Sequence, residues 1–157
     1  MSVNTIAVIT GGNRGLGRAT ALALGAAGTD VVLTYRSNEK EAAEVVEALT
    51  AMGRKAAALR LDTTSFGELP AFARTLGDTL RATWGRETFD FLVNNAGTAG
   101  FSPLGATGAD DFDLMVDVHF KGVFFPPAGT SRPWRCGWSA PRSPPPVRGR
   151  ASRRTGR

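Results

Sequence analysis

Over the first 125 residues, short apolar runs alternate with longer stretches whose apolar positions recur at helical spacing. Thr5 to Ile9 is a β-branched run followed by glycine, the pattern of a parallel strand covered on both faces. A helix pattern rich in alanine and leucine runs on to about Ala27, Gly28 supplies its stop, and Val31 to Tyr35 forms a second short strand. From Glu39 to Met52 the positions Ala42, Val45, Val46, Leu49 and Met52 share a helical face, with Glu41, Glu44 and Glu47 on the wet side and Gly53 at the end. Lys55 to Leu61 reads as a third strand. Ser65-Phe66-Gly67-Glu68 predicts a capping box before a helix whose buried stripe is Leu69, Phe72, Leu76, Leu80 and Trp84. Phe89 to Val93 is a fourth strand, and a last helical stripe joins Phe112, Met115, Val116, His119 and Val123.

Strand, helix and strand at these lengths make right-handed βαβ units, so the pattern predicts an α/β fold with parallel strands whose carboxyl ends lie on one edge. With 157 residues there is room for one domain. No run of 18 apolar residues is present to span a bilayer, and Met1-Ser2-Val3-Asn4 lacks the plan of a secretory signal, so a cytoplasmic location and no membrane partner are expected. The single cysteine, Cys136, has no partner for an internal disulfide and no neighbouring zinc ligands.

Charge changes the picture at one place. The net charge of +5 is uneven: Pro126 to Arg157 holds eight arginines and no lysine or acid, whereas residues 1–125 hold eleven basic groups against fourteen acidic ones. Seven of the nine prolines also lie beyond Phe125, which divides the chain into a folded segment 1–125 and an Arg/Pro-rich, disordered tail 126–157. Two origins account for the tail. It is a basic arm able to bind nucleic-acid phosphates, or a GC-rich coding sequence read out of frame. The helix cut in mid-pattern at Phe125 favours the shifted frame, so nucleic acid is not the expected partner.

The chemistry gathers at the strand ends. Thr10-Gly11-Gly12-Asn13-Arg14-Gly15-Leu16-Gly17 is a glycine-rich turn between a strand and a helix, where Gly11, Gly15 and Gly17 allow a backbone to wrap a pyrophosphate and the helix N-terminus faces the anion. At the end of the second strand an acid would bind the ribose hydroxyls of NAD, but Arg36 stands there. Arg14 can approach the same point from the glycine turn, and two guanidinium groups beside Ser37 suit the extra phosphate of NADP. Asp62, after the third strand, is either an acceptor for the adenine amino group or a turn aspartate.

The Thr-Gly-x-x-x-Gly-x-Gly turn at Thr10 to Gly17, Asp62 after the third strand, and Asn94-Asn95-Ala96-Gly97 after the fourth, in this order and spacing, resemble the N-terminal half of the short-chain dehydrogenase/reductase family. The resemblance implies a Rossmann-type doubly wound parallel sheet, truncated here to the strand order 3-2-1-4, with the fourth strand left as an open edge. It implies Asn13, Arg14 and Leu16 around the phosphates, Asp62 and Thr63 at adenine, and Asn95, Ala96 and Gly97 near the nicotinamide ribose. It further implies NADP(H) as cofactor, in preference to NAD, a small carbonyl or alcohol substrate, and homo-oligomers in intact members. The family's catalytic group is Asn, Ser, Tyr and Lys. His119 occupies the place of the asparagine, where its position on the apolar stripe favours a packing role over a proton relay. The only tyrosine, Tyr35, lies on the second strand with Glu39 four residues on in place of lysine, so a chain that holds cofactor without catalysis is the expectation for these residues.

Overall fold

Four strands pair in parallel in a computed structural model that describes residues 5–103 and 105–124. They are β1 (Ile6–Ile9), β2 (Asp30–Tyr35), β3 (Ala56–Arg60) and β4 (Phe91–Val93), in the expected spatial order β3-β2-β1-β4. The connecting helices are α1 (Gly15–Ala26), α2 (Glu39–Ala51) and α3 (Leu69–Trp84), and α4 (Ala109–Val116) follows β4. The segment 126–157, with the disorder and frame shift expected of it, lies outside the described residues, as do Phe125 and Cys136.

Period-two alternation along the strands divides the core between the two faces of the sheet. Ile9, Val31 and Leu33 meet Ala21 of α1 and Ala42, Val45 and Leu49 of α2 on one face. Ile6, Val8 and Val32 meet Phe72, Leu76 and Leu80 of α3 on the other. Covered on both sides, β1 and the Val31-Val32-Leu33 centre of β2 read as continuous apolar runs. Among the described residues β4 pairs only with β1, and Phe91 on this edge is 54% exposed.

The amino-terminal edge of the sheet is tied by one buried carboxylate. Asp30 has no solvent exposure; its Oδ1 accepts from the Lys55 N–H at 3.0 Å and its Oδ2 from Trp84 Nε1 at 2.9 Å. One side chain thus joins β2, the start of β3 and the end of α3. Asp90 does similar work at the surface, accepting from the Ile6 N–H at 2.8 Å and pairing with Arg86.

Three local expectations are corrected. The capping box at Ser65 does not form: the Asp62 carboxylate instead accepts from both the N–H and the hydroxyl of Thr64, and Phe66–Glu68 turns as a short 3₁₀ segment before α3. The stripe through His119 is broken, because α4 continues into a π-helical stretch, Asp117–Lys121, before a last turn, Gly122–Phe124. The Gly122 N–H bonds back five residues to the Asp117 carbonyl, and this wider turn upsets the 3.6-residue period. Val118 is buried as a result, whereas His119 is exposed and Phe112 is 63% exposed. In α2, Met52 falls past the helix end and is exposed, while Glu41 turns inward and is half-buried.

Asp30→Ala leaves two interior donors unpaired and is expected to destabilise the chain by about 2–3 kcal/mol, against about 1 kcal/mol for Trp84→Phe, in urea denaturation. The hydrogen bond from Arg86, then that from the Ile6 N–H, holds the Asp90 carboxyl below its usual range, and Asp62 is lowered by its bonds from Thr64. A carboxylate with a lowered folded-state pKa stabilises the fold above its unfolded pKa of about 3.9 and loses that contribution as pH falls through the folded value. The melting temperature is therefore expected to drop below about pH 4, and Asp90→Asn to flatten that drop.

Candidate functional site

The carboxyl ends of all four strands point to one edge, and β1 lies where the chain reverses direction across the sheet, with β2 on one side and β4 on the other. In open parallel sheets such a switch point leaves a crevice. Here it is a cavity of about 340 Å³. The glycine turn forms its floor and Arg36, Ser37 and Asn38 one wall; Leu61 to Thr64 and Asn95 to Thr98 complete the rim.

The glycine turn is held from both flanks. On the β4 side the Thr10 hydroxyl accepts from the N–H groups of Asn95 and Ala96, each at 3.0 Å. The Asn95 amide donates back to the carbonyls of Thr10 at 2.9 Å and Gly11 at 3.0 Å. On the β2 side the Gly11 N–H donates to the Thr34 hydroxyl and the Gly12 N–H to the Thr34 carbonyl. Gly11 has φ +65°, and a Cβ on Gly17 would stand 2.3 Å from the Gly11 carbonyl oxygen and 2.4 Å from Asn95 Nδ2. Gly17 is thus a packing requirement. Gly15, by contrast, has φ +55° with open space where a Cβ would lie.

At the head of α1 the capping position is Arg14, whose side chain makes no capping bond, and the first turn carries no acidic residue. The free N–H groups and dipole of this helix face the cavity through Gly15, Leu16 and Gly17, which gives the turn the donors an anion needs. Arg14 and Arg36 are both exposed at this cavity, and among the described residues neither is in an ion pair. A phosphate-bearing ligand therefore fits the residues present: an uncapped helix start, a glycine-rich turn, and two guanidinium groups in no ion pair among the described residues.

Every sequence-derived cofactor residue lines the cavity. Gly11, Asn13, Arg14, Gly15, Leu16, Gly17, Arg36, Asp62, Thr63, Asn95, Ala96 and Gly97 are all present. The side-chain amide of Asn95, however, is committed to the turn, so it positions the floor while Ala96 and Gly97 form the surface. Asp62 is a turn aspartate that also borders the cavity. His119 is not a core packing residue. Its Nε2 and the Thr98 carbonyl lie 2.8 Å apart, and its ring leaves only 3.0 Å for a Cβ on Gly97. Tyr35 lies against the α1 and α2 core, away from the lining.

Sequence reasoning missed Thr34, Asn38 and Glu41. Glu41 was assigned to the wet face of α2, yet its Oε2 accepts from Asn13 Nδ2 at 2.8 Å. Only the helix N-cap residue, Asn38, gave a local hint; its Oδ1 accepts from the Glu41 N–H at 3.3 Å. Among the described residues no group of three His, Cys, Asp or Glu is placed to hold a metal, and no helix is long and apolar enough to cross a membrane.

Gly17→Ala is expected to push the turn off β4 and cost about 2–3 kcal/mol, whereas Gly15→Ala meets only its strained φ and costs about 1 kcal/mol. Paired thermal melts of the two variants check this order.

A model described as short chain dehydrogenase matches residues 5–133. Hydroxynaphthalene reductase of Aspergillus fumigatus is 35% identical over 120 residues, which cover 76% of this chain and 42% of that protein. Versicolorin reductase 1 of Dothistroma septosporum is 35% identical over the same length, covering 76% of this chain and 43% of that protein. Among solved structures, a landomycin C-6 ketoreductase with bound NADP and rabelomycin matches with a TM-score of 0.74 and 33% identity, over 77% of this chain and 49% of that one. The chain spans less than half the length of these relatives. A family match over most of the sequence coincides with the turn, sheet order and strand-end residues described above, and the chain belongs to the short-chain dehydrogenase family.

Proposed function

We propose that these residues form the NADP(H)-binding half of an oxidoreductase that interconverts a small carbonyl compound and an alcohol. The observation that carries this reading is the pair of unpaired guanidinium groups, Arg14 and Arg36, at one cavity with the open N-terminus of α1. Gly15, Leu16 and Gly17 would hold the pyrophosphate with main-chain N–H groups, and Asn13 and Arg14 would flank it. Arg36 and Arg14 would bind the adenosine phosphate that distinguishes NADP from NAD, while Asp62 and Thr63 would border adenine. Ala96 and Gly97 would support the nicotinamide ribose. A ketoreductase of the same family that holds NADP supports the cofactor assignment. When bound, this cofactor supplies hydride exchange with a carbonyl carbon.

Proton transfer to the resulting oxygen needs a positioned acid. Tyr35 is the only phenol in the sequence and does not line the cavity, so these 157 residues alone would bind cofactor without turning over substrate. A non-catalytic dinucleotide-binding module describes the same state of the chain. His119 would steady the Gly97–Thr98 segment through the Thr98 carbonyl. The lone cysteine suits a reducing compartment, and a cytoplasmic location is part of the proposal.

In fluorescence titrations NADPH should saturate the chain and bind more tightly than NADH. Arg36→Ala should weaken NADPH by about tenfold or more, as expected for a lost charge-assisted hydrogen bond, and change NADH little, whereas Arg14→Ala should weaken NADPH at least as much and NADH to a smaller degree through the shared pyrophosphate. A preference for NADH, or no saturable binding of either, contradicts the reading. No carbonyl substrate should be reduced by this chain alone.

A further inference from the structure

Two carboxylates border the cavity, those of Asp62 and Glu41. Asp62 is engaged by Thr64. Glu41 is the carboxylate on the same wall as Arg36, at the head of α2, yet among the described residues it pairs with neither Arg36 nor Arg14. Its Oε2 is taken by the neutral amide of Asn13, 28 positions earlier and next to Arg14 in the glycine turn. The main chain of Glu41 is in turn fixed by the Asn38 side chain, which caps α2.

A carboxylate that shares a cavity with two arginines in no ion pair among the described residues is a potential partner for either, since opposite charges attract more strongly than a carboxylate and an amide. The half-buried bond to Asn13 opposes that pairing. It also links the phosphate turn to the start of α2, so the two cationic walls of the adenosine end are held at a set separation. We propose that Glu41 is a specificity-determining residue for the adenosine end of the dinucleotide. Parked on Asn13, its carboxylate leaves Arg14 and Arg36 open to a phosphate monoester; released, it competes with that phosphate for the same guanidinium groups. The inference rests on the NADP(H) reading above and concerns how the arginine pair is kept available.

A double-mutant cycle on the full chain tests it, with dissociation constants of NADPH and NADH for the unmodified chain, Asn13→Ala, Glu41→Gln and the double variant. Asn13→Ala should weaken NADPH by about fivefold or more, the scale of a partly exposed ion pair, and clearly more than it weakens NADH, which loses only the pyrophosphate neighbour that both dinucleotides share. Glu41→Gln keeps an acceptor for Asn13 but no charge, so it should hold or tighten NADPH binding, and in the double variant it should recover most of the loss. Circular dichroism melts of each variant separate these effects from unfolding, and Glu41→Gln alone carries the charge test if Asn13→Ala fails to fold. The inference is overturned if Asn13→Ala affects both dinucleotides alike, if Glu41→Gln gives no recovery, or if Glu41→Gln alone weakens NADPH selectively. If the unmodified chain binds NADPH no better than NADH, the cofactor reading falls and this inference falls with it.

Discussion

A backbone turn that binds phosphate has to leave free the N–H groups that would meet the anion, and so needs bonds from elsewhere to hold it in place. In this protein the load passes to side chains from elsewhere in the sheet. Thr10 and Asn95 exchange four hydrogen bonds between the end of β1 and the end of β4, counting those that reach the neighbouring Ala96 N–H and Gly11 carbonyl. Thr34 takes the N–H groups of Gly11 and Gly12 from the β2 side. Everything at the cavity depends on this lock. It places Gly17 against the Gly11 carbonyl, sets the direction in which α1 departs, and leaves the first turn of that helix uncapped.

The same economy governs charge at the wall that follows β2. Arg14 and Arg36 come from two separate turns and converge only because β1 and β2 are neighbours in register, Ile9 beside Leu33. Cations brought together in this way repel each other and attract any available acid. The structure answers by holding Glu41 on an amide and Asp62 on a threonine. Among the described residues, hydrogen bonds elsewhere hold both carboxylates of this cavity, and neither is in an ion pair with these arginines.

What was legible in the sequence was local. Glycine spacing, the short β-branched strands and the α3 stripe depend on residues within a few positions of each other, and each was found where its pattern placed it. Arg14 and Arg36 were legible because a βαβ unit fixes where two strand ends meet. The links that escaped are those made over distance. Asn95 is 85 positions from Thr10 and Glu41 is 28 from Asn13, and no periodicity signals either pairing. His119 was misjudged for a different reason: a π-helical turn shifts the face that a regular helix would bury, so Val118 took the interior place and His119 went to the Thr98 carbonyl. The absent capping box shows the same limit, since the N–H groups it would use go to main-chain carbonyls, that of Ser65 to Asp62 and that of Glu68 to Ser65.

The account stands on the claim that the locked glycine turn and the wall at the end of β2 form one dinucleotide cradle. Amide NMR spectra recorded as NADP⁺ is added test that claim most directly, because they report which backbone N–H groups meet the ligand. The account predicts concentrated, saturable shifts at Gly11 to Gly17, at Arg36 to Asn38 and at Asp62 and Thr63, with the outer face of α3 around Thr75 and Thr79 unmoved. Saturable shifts centred elsewhere, or a glycine turn whose amides stay in place, would contradict it.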